Sequence, residues 1–230
     1  MALPLYLAMT GEEIAACPLP AHLAYMACHF SVYGKGLQDL PAQLPEGSML
    51  ILDDRIPVWD HDPQLVADAL LQSLWRLGCG SLLLDLQRPG NRRTEEIVRR
   101  IAAGIAIPWA VTEPYGTGLD CAVLVGAPPP NQPLCAGRWE GRELWLEVAV
   151  ETVQYTVTET ASTAAQLSQA PDSYPRKDDR LCCSYDVEVL TDKAIFTISR
   201  TWEDLQKLMA QAEKLGFARG VGLYQQLGGM

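Results

Sequence analysis

Basic residues, histidines and paired-cysteine motifs are scarce in this 230-residue chain. Its 18 lysines and arginines stand against 28 aspartates and glutamates, a formal net charge of −10. A phosphate backbone needs a basic footprint, so nucleic acid is excluded as a partner. The same deficit argues against an anionic membrane surface, and no apolar run reaches the length of a membrane span. The three histidines, His22, His29 and His61, lack ligand spacing, so no metal site is expected. The seven cysteines are odd in number and include no C-x-x-C, which favours buried, reduced thiols. The adjacent Cys182 and Cys183 alternate across a strand and suggest neither a bridge nor a metal site. No G-x-S-x-G elbow is present, Gly126 and Gly137 lack phosphate-loop spacing, and Gly34-Lys35-Gly36 is isolated. Nucleotide and serine-hydrolase chemistry therefore drop out, and no cofactor is expected. The opening Met-Ala-Leu-Pro is not a basic leader, so a cytoplasmic location is expected.

What remains is an ordinary globular composition, 48% hydrophobic and 20% charged, with enough apolar side chain for a core. Residues 4–9, 23–30 and 49–53 read as strands, the third leading into the acids Asp53 and Asp54. Thr10 to Glu13 forms a capping box for a brief helix. Asp62-Pro63 opens a longer one, with Leu65, Val66, Ala69, Leu70, Leu74 and Leu77 at core spacing and Gly78 closing it. The run Leu82-Leu83-Leu84 within 81–87 suits a strand covered on both faces and parallel to the third. A helix starting at Thr94 and strands at 107–112 and 121–125 follow. Residues 144–158 alternate over too great a length for one buried barrel strand, 181–190 and 194–199 alternate again, and the polar link 159–180 reads as a mobile surface loop. A capped helix from Thr201 and a last strand at 220–224 complete the chain. Eight barrel strands result, with no convincing helix after the second, fifth and sixth. Because a full eight-fold barrel takes about 250 residues, the expectation is an α/β fold: a trimmed (β/α)8 TIM-like barrel forming one domain over 1–230. An antiparallel β insertion at 151–200 is expected between strands seven and eight, and an open α/β sheet is the alternative.

The stretch from Gly80 through Asp85 and Gln87 to Pro89 resembles the strand-four signature of chitinase-type glycoside hydrolases, Asp-x-x-Asp-x-Asp-x-Glu often followed by an aromatic and Pro, with Arg88 here in place of the aromatic. Aligned on Pro89, Gln87 stands at the catalytic glutamate, Asp85 at the last aspartate, and Leu83 and Gly80 at the other two. The late antiparallel insertion also resembles that family, as does the last strand, with Tyr224 where the family has a sugar-flooring Trp. The resemblance implies a TIM barrel with a carbohydrate site at the strand ends. In that family the glutamate is the general acid, and the substrate's acetamido group attacks the anomeric carbon. A glutamine side chain does not titrate, so Gln87 cannot hand over a proton.

Three readings follow. The first is a non-catalytic pseudoenzyme that binds a glycan or other small molecule through Asp85, Gln87 and Tyr224, with Asp54, Trp109 and Tyr115 as further contacts. The second is a hydrolase using another carboxylate pair among Asp53, Asp54, Asp85 and Glu113, with Glu147 a further candidate on strand seven; barrel active sites collect at the C-terminal strand ends, where these would project. The third is a structural protein that uses the insertion edge to bind a partner or form a homodimer. Tyr33 and Trp59 are other candidate sugar-stacking rings, whereas Trp75 and Trp202 read as helix packing.

Overall fold

A computed structural model describes residues 3–32, 34, 36–88, 90–167 and 174–228. The first half runs β1 (Leu5–Met9), α1 (Gly11–Ala16), β2 (Leu23–Phe30), β3 (Leu37–Gln38), β4 (Met49–Asp53), α2 (Pro63–Arg76), β5 (Ser81–Asp85) and α3 (Arg92–Gly104). Then come β6 (Trp109–Thr112), β7 (Ala122–Val125), β8 (Leu144–Glu147), β9 (Thr152–Thr158), β10 (Ser162–Gln166), β11 (Arg176–Asp178), β12 (Cys183–Val189) and β13 (Lys193–Ser199). The chain closes through α4 (Trp202–Lys214), β14 (Phe217–Leu223) and α5 (Tyr224–Leu227). Strand β1 pairs in parallel with both β2 and β14, which closes β1, β2, β4, β5, β6, β7, β8 and β14 into an eight-stranded parallel barrel. Between its seventh and eighth strands lies a separate antiparallel sheet of order β10-β9-β13-β12-β11. The fold is the expected trimmed barrel, and the open sheet is excluded by the β1–β2 pairing.

Alternation along each strand sorts the core. Leu82, Leu84 and Leu86 face α2 and α3, together with Leu50, Leu52, Leu70 and Ile97. Leu83 faces the barrel interior with Ile51, Met49, Leu124 and Trp145, interleaved with the small Ala8, Ala24, Ala110 and Ala122. Trp145 is fully buried early in β8, its indole donating to Glu143 at 3.0 Å and lying 4.8 Å beneath the Arg219 guanidinium. Large side chains thus plug the N-terminal half of the barrel, and its free space lies at the C-terminal mouth.

The outer layer is reduced where the sequence predicts it. Among the described residues, only the two-residue β3 and two short 3-10 turns, Glu113–Tyr115 and Gly137–Trp139, follow β2, β6 and β7. Thr10 and Asp62 cap α1 and α2 as expected, and Gly78 takes the left-handed conformation (φ 64°) just past the end of α2. Four details differ. Helix α3 starts at Arg92, because the Asn91 side chain accepts from the amides of Arg93 and Thr94. The link 159–180 is not simply a loop: β10 and β11 lie within it and pair with β9 and β12. Leu65 and Trp75 lie on the outer face of α2 and are 53% and 86% exposed, so neither is core. Cys182 precedes β12, and it and Cys183 are both buried free thiols.

Candidate ligand-binding site at the barrel mouth

The inward parity that buries Ile51, Leu83 and Trp145 carries on to Asp53, Asp85 and Glu147, two residues further along β4, β5 and β8. All three line a cavity of about 310 Å³ at the mouth. Its floor is apolar, with Ile51, Leu83, Leu124 and Val221. Gln87 and Arg55 enter from the loops after β5 and β4, and Glu151, Gln166 and Gln226 complete the rim.

Within it, the Gln87 side-chain amide donates to Asp85 Oδ1 at 2.5 Å. Burial pushes the Asp85 carboxyl above its ordinary range; the Gln87 bond works against this, and the charges of Asp53 and Asp54 add to it. Glu147 opens into the cavity, so it is accessible to solvent yet hemmed in by protein. That desolvation raises its carboxyl too; a hydrogen bond from the Ala127 backbone opposes the rise, and the charges of Asp85 and Glu151 reinforce it.

The other predicted residues are placed differently. Asp53 lines the cavity but is already engaged, accepting from the Arg55 amide at 2.9 Å, with His29 Nδ1 2.7 Å away and the Arg55 guanidinium at 3.5 Å. Asp54, of opposite parity, is buried and accepts from the amides of Gln87 (3.0 Å) and Arg88 (2.8 Å). It shapes the loop that presents Gln87. Glu113 begins a 3-10 turn away from the cavity and accepts from the Trp139 indole at 2.6 Å. Trp109 is the first residue of β6, at the opposite end of the barrel, packed against the helix layer. Tyr115 is buried in that layer too, its hydroxyl 3.4 Å from the Arg88 carbonyl. Tyr224 starts α5, which turns the chain out of strand parity, and its ring lies against Gly228. It is absent from the cavity lining. Trp59 is 75% exposed, outside the cavity. Trp202 packs partly buried on the second core cluster. Tyr33 and Pro89 lie outside the described residues.

Of the four signature positions, Gly80 is the least replaceable. A Cβ there would stand 2.8 Å from the Gly47 carbonyl oxygen. Leu83 is 2% exposed in the interior layer. Asp85 and Gln87 face the cavity. Among the described residues, no three His, Cys, Asp or Glu side chains are grouped so as to hold a metal ion.

Solved structures that superpose on this chain include chitinases and a spore cortex-lytic enzyme. A chitinase from Cycas revoluta in complex with allosamidin superposes with a TM-score of 0.56 at 10% identity, covering 96% of this chain and 94% of its own. The fold is the chitinase-type barrel. A chitinase from Chromobacterium violaceum gives 0.54 at 8% identity over 96% and 93% of the two chains. The spore cortex-lytic enzyme SleL of Bacillus cereus gives 0.52 at 10% identity over 96% and 70%. No family model matches the sequence, and no curated protein matches it. What is shared with these barrels is the fold.

Sequence reasoning missed Arg55, Glu151, Gln166 and Gln226. Glu151 and Gln166 belong to the insertion and Gln226 to α5, elements whose approach to the mouth leaves no periodic trace in the sequence.

Proposed function

We propose that this chain binds a neutral carbohydrate at the barrel mouth and does not cleave it by the route of the chitinase-type hydrolases. The observation that carries the reading is the Asp85–Gln87 pair, joined at 2.5 Å and facing a cavity with an apolar floor. Sugars present hydroxyls to polar side chains and C–H faces to apolar ones, and this lining offers both. Gln87 can donate to and accept from hydroxyls but has no proton to give a leaving group. A fold held in common with a chitinase solved in complex with (GlcNAc)3 supports amino-sugar oligomers as the first ligands to try.

Thermal denaturation against chito-oligosaccharides and a broad glycan panel tests this. We expect a stabilising shift and no release of reducing ends; no shift across the panel would sink the sugar-binding reading.

One observation favours a second reading. Asp85 and Glu147 both lie above the ordinary carboxylate range through burial, and each raised carboxyl is a candidate general acid. Asp54 and Glu113 are committed to structural bonds and Asp53 to its neighbours, so a hydrolase would have to use Asp85 with Glu147. Reducing-end release that Glu147→Gln abolishes and Gln87→Ala leaves intact would establish that reading over the first.

A further inference from the structure

Arg200 joins β13 to α4 and is 1% exposed, yet among the described residues it has no carboxylate partner within ion-pair distance. Its guanidinium instead donates to the carbonyls of Pro128 (2.5 Å) and Pro129 (3.3 Å), while Nε has no hydrogen-bond partner. Burying a cation is costly and is kept only where its bonds matter. The loop it grips starts just after β7, and two residues upstream of Pro129 is Ala127, whose backbone amide faces Glu147 and lowers its titration. A Cβ on Gly126 would stand 3.6 Å from Glu147 Oε2, so the Glu147 carboxylate lies directly over this segment. Prolines at 128, 129 and 130 offer no backbone N–H and have fixed φ, so the loop's free carbonyls are natural targets for a planar fork.

We propose that Arg200 is a positioning residue for Glu147: by clamping the Pro128 and Pro129 carbonyls it fixes the Gly126–Ala127 backbone over which the Glu147 carboxylate lies at the barrel mouth. The insertion thereby reaches the mouth directly, through Glu151 and Gln166, and indirectly, through Arg200. Lysine is a point charge and cannot make the two-carbonyl fork, so the role is specific to arginine. Any effect on ligand rests on the binding reading above; the Glu147 geometry does not.

Carboxyl-carbon NMR titration of Glu147, assigned with Glu147→Gln, reads this directly in Arg200→Lys and Arg200→Met. Releasing the Gly126–Ala127 backbone moves the Glu147 titration upward in both variants. A shift in Arg200→Met alone would mean that only the positive charge matters, and it would overturn the proposal. So would an unchanged titration in both. Arg200→Lys keeps the buried charge and serves if Arg200→Met does not fold. Sugar-induced thermal shifts are measured on the same samples: a moved titration with no shift in any sample, wild type included, fails the binding reading and leaves the clamp standing.

Discussion

Gln87 and Asp85 share the inward face of the β5 end, two residues apart, and the amide of one donates to the carboxylate of the other. The bond stabilises the ionised form of Asp85 and holds the Gln87 amide over the cavity. Gln87→Ala removes the donor and leaves Asp85 nearer its desolvated limit. Its carboxyl titration is expected to move upward, and chito-oligosaccharide affinity to fall about fivefold, the equivalent of roughly 1 kcal/mol for one lost hydrogen bond. Isothermal titration calorimetry with carboxyl-carbon NMR checks both halves.

Asp85 also gives the stability a pH dependence of determinate sign. Its folded-state carboxyl is raised above the ordinary value of 3.8, so the folded protein holds this proton more tightly than the unfolded chain does. The contribution of Asp85 is most favourable below that value and is lost as pH rises through the folded-state titration. Asp85→Asn cannot ionise, so it is expected to be more stable than wild type at neutral pH. The gain is under about 1 kcal/mol, because the mouth is open to solvent, and it vanishes below about pH 4. Urea denaturation at several pH values measures the difference; a gain that grew toward acid would contradict it.

The barrel was legible because its signals are periodic and local. The run Leu82-Leu83-Leu84, the Asp62-Pro63 start and the Thr10 and Thr201 caps each act over a few residues, and all appear where expected. Which candidates line the cavity was legible only as far as strand parity reaches, to Asp53, Asp85, Gln87 and Glu147. Tyr224 was misread because α5 begins at that residue and breaks the alternation. Trp109 was misread because β6 starts there, which puts the ring at the wrong end of the barrel. Glu113 and Asp54 carry the right chemistry in the right region, but their hydrogen bonds run to Trp139 and to the Gln87–Arg88 amides, partners distant in sequence.

Glu113 therefore separates stability from binding. Removing its carboxylate strands the indole N–H of Trp139, which is 6% exposed. Glu113→Ala is expected to cost about 1–3 kcal/mol of folding stability while leaving sugar affinity within twofold of wild type, roughly 0.4 kcal/mol. Chemical denaturation and calorimetry on one preparation decide this, and a large affinity loss in folded protein would return Glu113 to the site.

Rebuilding the chitinase-type signature tests whether this strand can accept it. Gln87→Glu is sterically conservative and adds a carboxyl beside Asp85, so it is expected to fold, with Asp85 displaced further upward by like charge. Gly80→Asp is a different matter. Its Cβ would press on the Gly47 carbonyl oxygen at 2.8 Å and on the Gly47 Cα at 3.0 Å, backbone atoms that a rotamer change cannot move. The Gly47 amide is itself bonded to the Gly78 carbonyl and the Gly80 amide to the Ser48 carbonyl, so the two segments are locked at that spacing. Overpacking of this kind costs about 1–3 kcal/mol, and the buried carboxylate adds to it. Gly80→Asp is thus expected to lower the denaturation midpoint far more than Gln87→Glu, and Gly80→Ala to share most of the steric part of that loss. If Gly80→Asp were as stable as wild type, the close β4–β5 approach would not be the barrier to an acid at this position.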